Sequence, residues 1–151
     1  MPISRNPATR NPRTFTPRPN DSAFVTAAQL QQALAHNSIA LVDARGPDRF
    51  AGQNETIDPV AGHVPGATNR PFAKNLDGRS RFLVPEELRR QWAQLLGTRP
   101  PTEVIAMCGS GVTACHNLLA LELAGLPGAK LYAGSWSEWI RDPTRPVAKG
   151  P

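Results

Sequence analysis

Val104-Ile105-Ala106-Met107-Cys108-Gly109-Ser110-Gly111-Val112-Thr113-Ala114-Cys115 is the stretch whose reading decides the fold. Its first four residues are a continuous apolar run, the pattern of a strand buried on both faces of a parallel sheet. Beyond it, Leu118, Leu119, Leu121, Leu123 and Ala124 continue as a helix that stops at Gly125. The two glycines between strand and helix permit turns that other residues resist. A short loop feeding a helix can point successive N–H groups into one concavity, to which the helix N-terminus adds partial positive charge. A cysteine sulfur in such a concavity is stabilised as an anion, and Ser110 and Thr113 could add hydroxyl donors. Cys108 therefore reads as a reactive thiol; the alternative is an inert thiol buried at a strand end. Cys115, a turn into an apolar helix, reads as a packed core cysteine.

Working outward, Ile39-Ala40-Leu41-Val42 is a second apolar run, ending at Asp43, and Ala129-Lys130-Leu131-Tyr132 is a third short strand closed by Ala133-Gly134. Ala23-Phe24-Val25 is a further short apolar stretch. Thr26 is an N-cap for a helix running to about His36, with Leu30 and Leu34 on one face. A helix from Pro85 to about Leu96 has proline in its first turn and Gly97 just past its end, the usual asymmetry. Its residues Leu88, Trp92, Leu95 and Leu96 share a face, and Glu86 and Glu87 suit the positive end of its dipole. Strands alternating with helices predict an α/β domain with a central, mainly parallel sheet and helices on both faces. Ligands in such folds sit at the carboxyl ends of strands, which is where Cys108 falls.

The 151 residues fit one domain with a working core, and 40% hydrophobic with 19% charged residues suits a soluble globular chain. The formal charge of +5 is localised: residues 1–20 hold Arg5, Arg10, Arg13 and Arg18 and no acid, whereas 13 basic and 12 acidic residues follow. The folded body is thus near neutral, which argues against a nucleic-acid partner. No apolar run reaches the roughly 18 residues of a membrane span, and the start lacks a secretory signal, so the expected compartment is the cytoplasm. Two cysteines seven apart on a helix are separated by about 10 Å, too far for a disulfide, and no metal-ligand spacing accompanies them. Five of the sixteen prolines fall in the first twenty residues, with Pro2, Pro7, Pro12 and Pro17 at a five-residue interval. Residues 1–22 read as an extended Pro/Arg-rich arm or linker, and 23–151 as the catalytic domain.

At Cys108-Gly109-Ser110-Gly111-Val112-Thr113 the chain resembles the rhodanese family, whose active cysteine opens a loop of this length between strand and helix. The neutral Gly109-Ser110 pair is similar to the 3-mercaptopyruvate sulfurtransferase branch; the thiosulfate branch usually carries basic residues there. A doubly charged donor gains from cations in the loop, whereas the single carboxylate of mercaptopyruvate can be held elsewhere. Val42-Asp43-Ala44-Arg45 with Arg49-Phe50, Gly62-His63-Val64-Pro65-Gly66-Ala67 and Tyr132-Ala133-Gly134-Ser135-Trp136-Ser137-Glu138-Trp139 look like the family's other signatures, in its order. The resemblance spans roughly Phe24 to Pro146. It implies a rhodanese-like three-layer sandwich, with active cysteines of tandem members in the C-terminal domain and a linker resembling residues 1–20.

The resemblance also implies roles. Cys108 matches the nucleophile, Gly109, Gly111, Val112 and Thr113 the cradle, and Ser110 a loop serine that binds donor or moves a proton. Arg49 matches an arginine that holds the donor carboxylate, the alternative being a structural ion pair. Arg45 either contacts substrate or braces the loop through Asp43. The branch often has a second arginine where this chain has Thr56, which leaves a weaker clamp or Arg70 as its replacement. His63 belongs to a turn motif and reads as structural, His116 is not placed as a base for Cys108, and Trp136 and Trp139 read as packing residues.

The implied reaction moves sulfur from 3-mercaptopyruvate or thiosulfate, through a Cys108 persulfide, to thioredoxin, a small thiol or cyanide, with no cofactor or metal. A cysteine phosphatase is disfavoured, because its phosphate-binding arginine would fall at Ala114. The remaining alternative is a non-catalytic rhodanese-like module that binds a partner or relays sulfur. A second rhodanese-like domain or chain is a candidate partner.

Overall fold

Two apolar runs make the centre of the sheet in the computed structural model, which describes residues 12–150. Strands β1 (Ala40–Asp43) and β3 (Val104–Met107) pair in parallel, from Ala40 opposite Val104 to Asp43 opposite Met107. Two-residue strands flank them, β2 (Thr68–Asn69) beside β1 and β4 (Lys130–Leu131) beside β3, giving the order β2-β1-β3-β4 with every pairing parallel. β2 was not expected from the sequence: it is two polar residues at the sheet edge, with no apolar run to betray it. Phe24, from the short apolar stretch near the start, forms a parallel bridge to Leu131.

The helices follow their end signals. In α1 (Ala27–Ala35) the Gln29 N–H donates to the Thr26 hydroxyl, and the Thr26 N–H donates to the Gln29 side chain, a reciprocal cap. α3 (Pro85–Leu96) begins on its proline and ends at Gly97. A short α2 (Pro47–Ala51) follows β1, α4 (Val112–Leu123) follows the cysteine loop, and α5 (Ser135–Trp139) follows β4. α5 lacked a periodic signal because five residues are too few to show one.

Alternation along β1 and β3 divides the core into two faces. Leu41, Ile105 and Met107 meet α1 and α5 through Leu30, Trp136 and Trp139, with Tyr132 from just after β4 in the same cluster. Val42 and Val104 meet α3 and α4 through Leu88, Trp92, Ala120 and Leu121. Ala44, Ala106, Cys108 and Ala114 continue that second face at the carboxyl edge, so the sheet is sandwiched between helix layers. The buried Trp136 anchors α5 beneath the cysteine loop, and truncating such a side chain costs about 3–5 kcal/mol.

Of the arm, Pro2 and Pro7 lie outside the described residues, while residues 12–20 are exposed and carry neither helix nor strand. Among the described residues no helix is long and apolar enough to cross a membrane.

Candidate functional site

The register of β1 on β3 brings Ala44, Arg45 and Cys108 out of the sheet side by side; the Ala44 N–H donates to the Met107 carbonyl at 2.8 Å. Cys108 is 2% exposed. Its N–H donates to Ser135 Oγ at 3.1 Å, and its carbonyl accepts the Trp136 N–H at 3.0 Å. The next carbonyl, of Gly109, accepts both the N–H of Ser137 at 2.9 Å and its hydroxyl at 2.8 Å. The first turn of α5 therefore clasps the start of the loop. Gly111 completes it with φ of +84°, so close to the next strand's exit that a Cβ would sit 2.6 Å from the Ala133 carbonyl oxygen.

With the start of the loop held this way, the backbone N–H groups of Gly109, Ser110, Gly111, Val112, Thr113 and Ala114 have no acceptor among the described residues. Donors left free by a loop and the first turn of a helix are the elements of an anion cradle. Ser110 and Val112 are exposed at its rim and Thr113 is half-buried.

Two arginines reach this loop from β1 and α2, and the atoms nearest a Cβ placed on Gly109 are Arg49 Nη1 at 3.6 Å and Nη2 at 3.7 Å, then Arg45 Cδ at 4.0 Å. Arg49 Nε donates to both Glu55 oxygens at 3.0 Å, and Nη2 donates to Asp58 at 2.8 Å. Its Nη1 has no partner among the described residues and faces Gly109. Burial pushes the Glu55 carboxyl up, but hydrogen bonds from Arg49 and from the N–H groups of Asp58 and Ile57 outweigh that and hold it below the ordinary carboxylate range. Arg45 is buried, bonds Asp43 through Nε and Nη2, donates to the Gly62 carbonyl at 2.8 Å, and lies 4.7 Å over Trp136. It has the contacts of a brace. Arg70 takes a different direction: it is buried against Trp92 and donates to Asn75 and Gln91 at 3.1 Å each. Thr56 is exposed.

Ser135, Ser137, Glu55 and Asp58 are site residues that sequence reasoning did not single out. Ser135 has φ of +52° and its hydroxyl donates to Tyr132, the sign of a turn fixed for a purpose. A serine just after a strand end at the same sheet edge was the available signal; the two acids after Arg49 gave none. Asp58 also lies 3.1 Å from the Ser137 hydroxyl, joining the arginine to the loop clasp.

The remaining candidates sort by contact. His63 stacks on Phe50 at 3.8 Å and its Nδ1 is bonded to the Phe50 carbonyl, so it holds a turn. His116 packs against Phe72 and Phe82, and burial pushes its pKa down. Trp136 and Trp139 are buried, each with its indole N–H on a backbone carbonyl. Cys115 contradicts the expected core position: it is exposed, with its thiol toward the Gly111 carbonyl at 3.4 Å. Its helix is apolar on more than its buried side, with Leu119 and Leu123 also exposed, and a strong apolar count concealed which side faces the core. Among the described residues no group of three or more His, Cys, Asp or Glu is placed to hold a metal ion.

Comparison with known proteins gives the architecture its family. Residues 26–142 match the model of the rhodanese-like domain. The chain is 56% identical over 136 residues to a probable 3-mercaptopyruvate sulfurtransferase of Pseudomonas aeruginosa, covering 90% of this chain and 48% of that one. It is 36% identical over 143 residues to the thiosulfate sulfurtransferase of Bos taurus, covering 92% and 48% respectively. Among solved structures, the Tum1 protein of Saccharomyces cerevisiae superimposes with a TM-score of 0.73 at 28% identity, over 85% of this chain and 47% of that one. The chain thus spans about half the length of the curated relatives it matches. With the strand–loop–helix cradle, the sheet order and the sequence match in agreement, the chain belongs to the rhodanese-like family.

Proposed function

We propose that this chain is a sulfurtransferase domain that carries sulfane sulfur as a persulfide on Cys108, with 3-mercaptopyruvate favoured over thiosulfate as donor. The observation that carries the reading is the set of six N–H groups from Gly109 to Ala114 around the cysteine loop that have no acceptor among the described residues. Such donors stabilise anionic sulfur in both half-reactions without a cofactor.

In the first half, the Cys108 thiolate attacks the donor sulfur. An S–S bond forms and the donor's C–S bond breaks; its electron pair stays on carbon as the pyruvate enolate, which then takes a proton. Ser110, exposed at the rim, is the residue assigned to donor contact and that proton. In the second half, an acceptor thiolate attacks the outer sulfur and Cys108 leaves as thiolate, giving ping-pong kinetics. Thioredoxin, a small thiol or cyanide fits the acceptor role.

Donor choice rests on charge. Arg45 and Arg49 are accompanied by Asp43, Glu55 and Asp58, so the cluster beside Gly109 has more acids than bases. A dianion such as thiosulfate is disfavoured there, while one carboxylate can be met by Arg49 Nη1. Gly109, Gly111, Val112 and Thr113 supply the cradle, and Arg45 holds Asp43 and the Gly62 turn in place behind it.

Residues 1–22 are proposed as a linker and 23–151 as the catalytic domain, with a second rhodanese-like domain or chain beside it. Val112, 73% exposed at the loop, is apolar surface for that partner to cover. The cytoplasm is the proposed compartment. A non-catalytic relay or binding module is the second reading, favoured by the burial of Cys108.

Steady-state turnover separates these. Pyruvate release from 3-mercaptopyruvate with a thiol acceptor, faster than sulfite release from thiosulfate and abolished by Cys108→Ser, is expected. Turnover with neither donor refutes the catalytic reading.

A further inference from the structure

Arg70 presents a second problem of charge, on the α3 side of the sheet. It is 5% exposed, and among the described residues no carboxylate lies within ion-pair distance of it. Its guanidinium rests 4.4 Å from the Trp92 ring centroid, Nη2 donates to the amide oxygens of Asn75 and Gln91, and Nε is buried without a partner. Burial pushes its pKa down, with no opposing anion. Buried cations are ordinarily paired, because removing a charge from water is costly.

Arg70 also lines an open cavity of about 440 Å³, together with Lys74, Gln91, Gln94 and Leu95. Its lining contains two cations and two amides and no acid. Glu87, which meets the lining through the Gln91 amide that donates to it at 2.7 Å, is occupied by that amide and by Arg90. The Arg70 backbone is fixed on both sides, its N–H on the Asp43 carbonyl and its own carbonyl accepting from Asn117. None of the lining residues belongs to the Cys108 loop.

We propose that Arg70, Lys74, Gln91 and Gln94 form a binding site for a tetrahedral oxyanion, separate from the cysteine cradle. Arg70 supplies a preorganised cation with its Nη1 uncommitted, Lys74 a mobile one and Gln94 an amide donor at the rim, while Gln91, bonded to Arg70 through its oxygen and to Glu87 through its amide, holds the guanidinium beside the cavity. Two positive groups without an acid suit a dianion, either inorganic or the phosphoryl group of a small molecule. The site stands independently of sulfur transfer.

Side-chain amide resonances of Gln91 and Gln94 report on it directly. Titration of the ¹⁵N-labelled chain with sulfate, at constant ionic strength in chloride, is expected to move both saturably. Arg70→Met and Lys74→Met are each expected to weaken the response about tenfold or more, while the amides of Gly109–Thr113 keep their own response. Lys74 is exposed, so its variant tests the site even if Arg70→Met does not fold. Glycerol phosphate binding more tightly than sulfate would assign the site to a phosphoryl group, and equal binding to the free ion. Gln91 and Gln94 resonances that stay fixed, or that move equally in Lys74→Met, overturn the proposal.

Discussion

Two glycines in one loop are expected to respond very unequally to the same added methyl. At Gly111 the backbone φ is +84°, and a Cβ would stand 2.6 Å from the Ala133 carbonyl oxygen and 3.3 Å from its carbonyl carbon. The left-handed conformation costs an alanine about 1–2 kcal/mol, and relieving a contact with backbone adds about 1–3 kcal/mol. Gly111→Ala should thus destabilise the domain by roughly 2–5 kcal/mol, or about 10 °C in melting temperature for a domain of this size. At Gly109 the backbone is unstrained, and the Cβ would meet only side-chain atoms at ordinary distances, Arg49 Nη1 at 3.6 Å, Arg49 Nη2 at 3.7 Å and Arg45 Cδ at 4.0 Å. Gly109→Ala should stay within about 0.5–1 kcal/mol of the parent. Urea unfolding of both variants, with persulfide formation measured in parallel, checks the pair. The loss of rate should exceed the loss of stability in Gly111→Ala, because the displaced turn carries the cradle N–H groups. A Gly111→Ala protein as stable as the parent, or a Gly109→Ala protein equally damaged, refutes the close-approach argument.

Three further outcomes follow from neighbouring contacts. Ser135→Ala leaves the Cys108 N–H and the Tyr132 carbonyl without their partner, a loss of about 1–3 kcal/mol in unfolding free energy, whereas Ser110→Ala, at an exposed rim, should leave stability unchanged. Arg49→Ala should raise KM for mercaptopyruvate by roughly 10–100-fold, the worth of one charge-assisted hydrogen bond, with kcat little altered. Because Glu55 titrates below the ordinary carboxylate range, Arg49 stays held from about pH 6 to about 9; an Arg49-dependent inflection within that range contradicts the assignment. His116 has its folded pKa pushed below 6.5, so the unfolded chain takes the proton first and stability should fall as pH drops from about 7 to about 5.5. His116→Gln should flatten that part of the unfolding profile, and an unchanged slope would show that His116 is not its source.

What could be read from the chain alone depended on how much of each element was apolar and periodic. β1, β3, α1 and α3 announced themselves through continuous runs or caps, and the structure places them within a residue of those signals. β2 and α5 are too short to carry a pattern and exist because neighbours hold them: Thr68 and Asn69 on β1, and Ser135–Trp139 under the loop. The loop was visible through its two glycines and its position after a buried strand. Its supports were not, because Ser135, Ser137, Glu55 and Asp58 act through contacts between segments distant in sequence. Cys115 was misplaced for a related reason: α4 has apolar residues on both its buried and exposed sides, so composition did not fix orientation.

The central claim is that Cys108 accepts and passes on sulfur. Intact and fragment-ion mass spectrometry after brief exposure to 3-mercaptopyruvate should show a gain of about 32 Da on fragments that contain Cys108 and not on those that contain Cys115 alone, removed by a thiol acceptor and absent in Cys108→Ser. The exposed Cys115 provides the internal control, since it shares the solution but lies outside the proposed nucleophile position. An adduct that forms equally in Cys108→Ser, or none with either mercaptopyruvate or thiosulfate, contradicts the account.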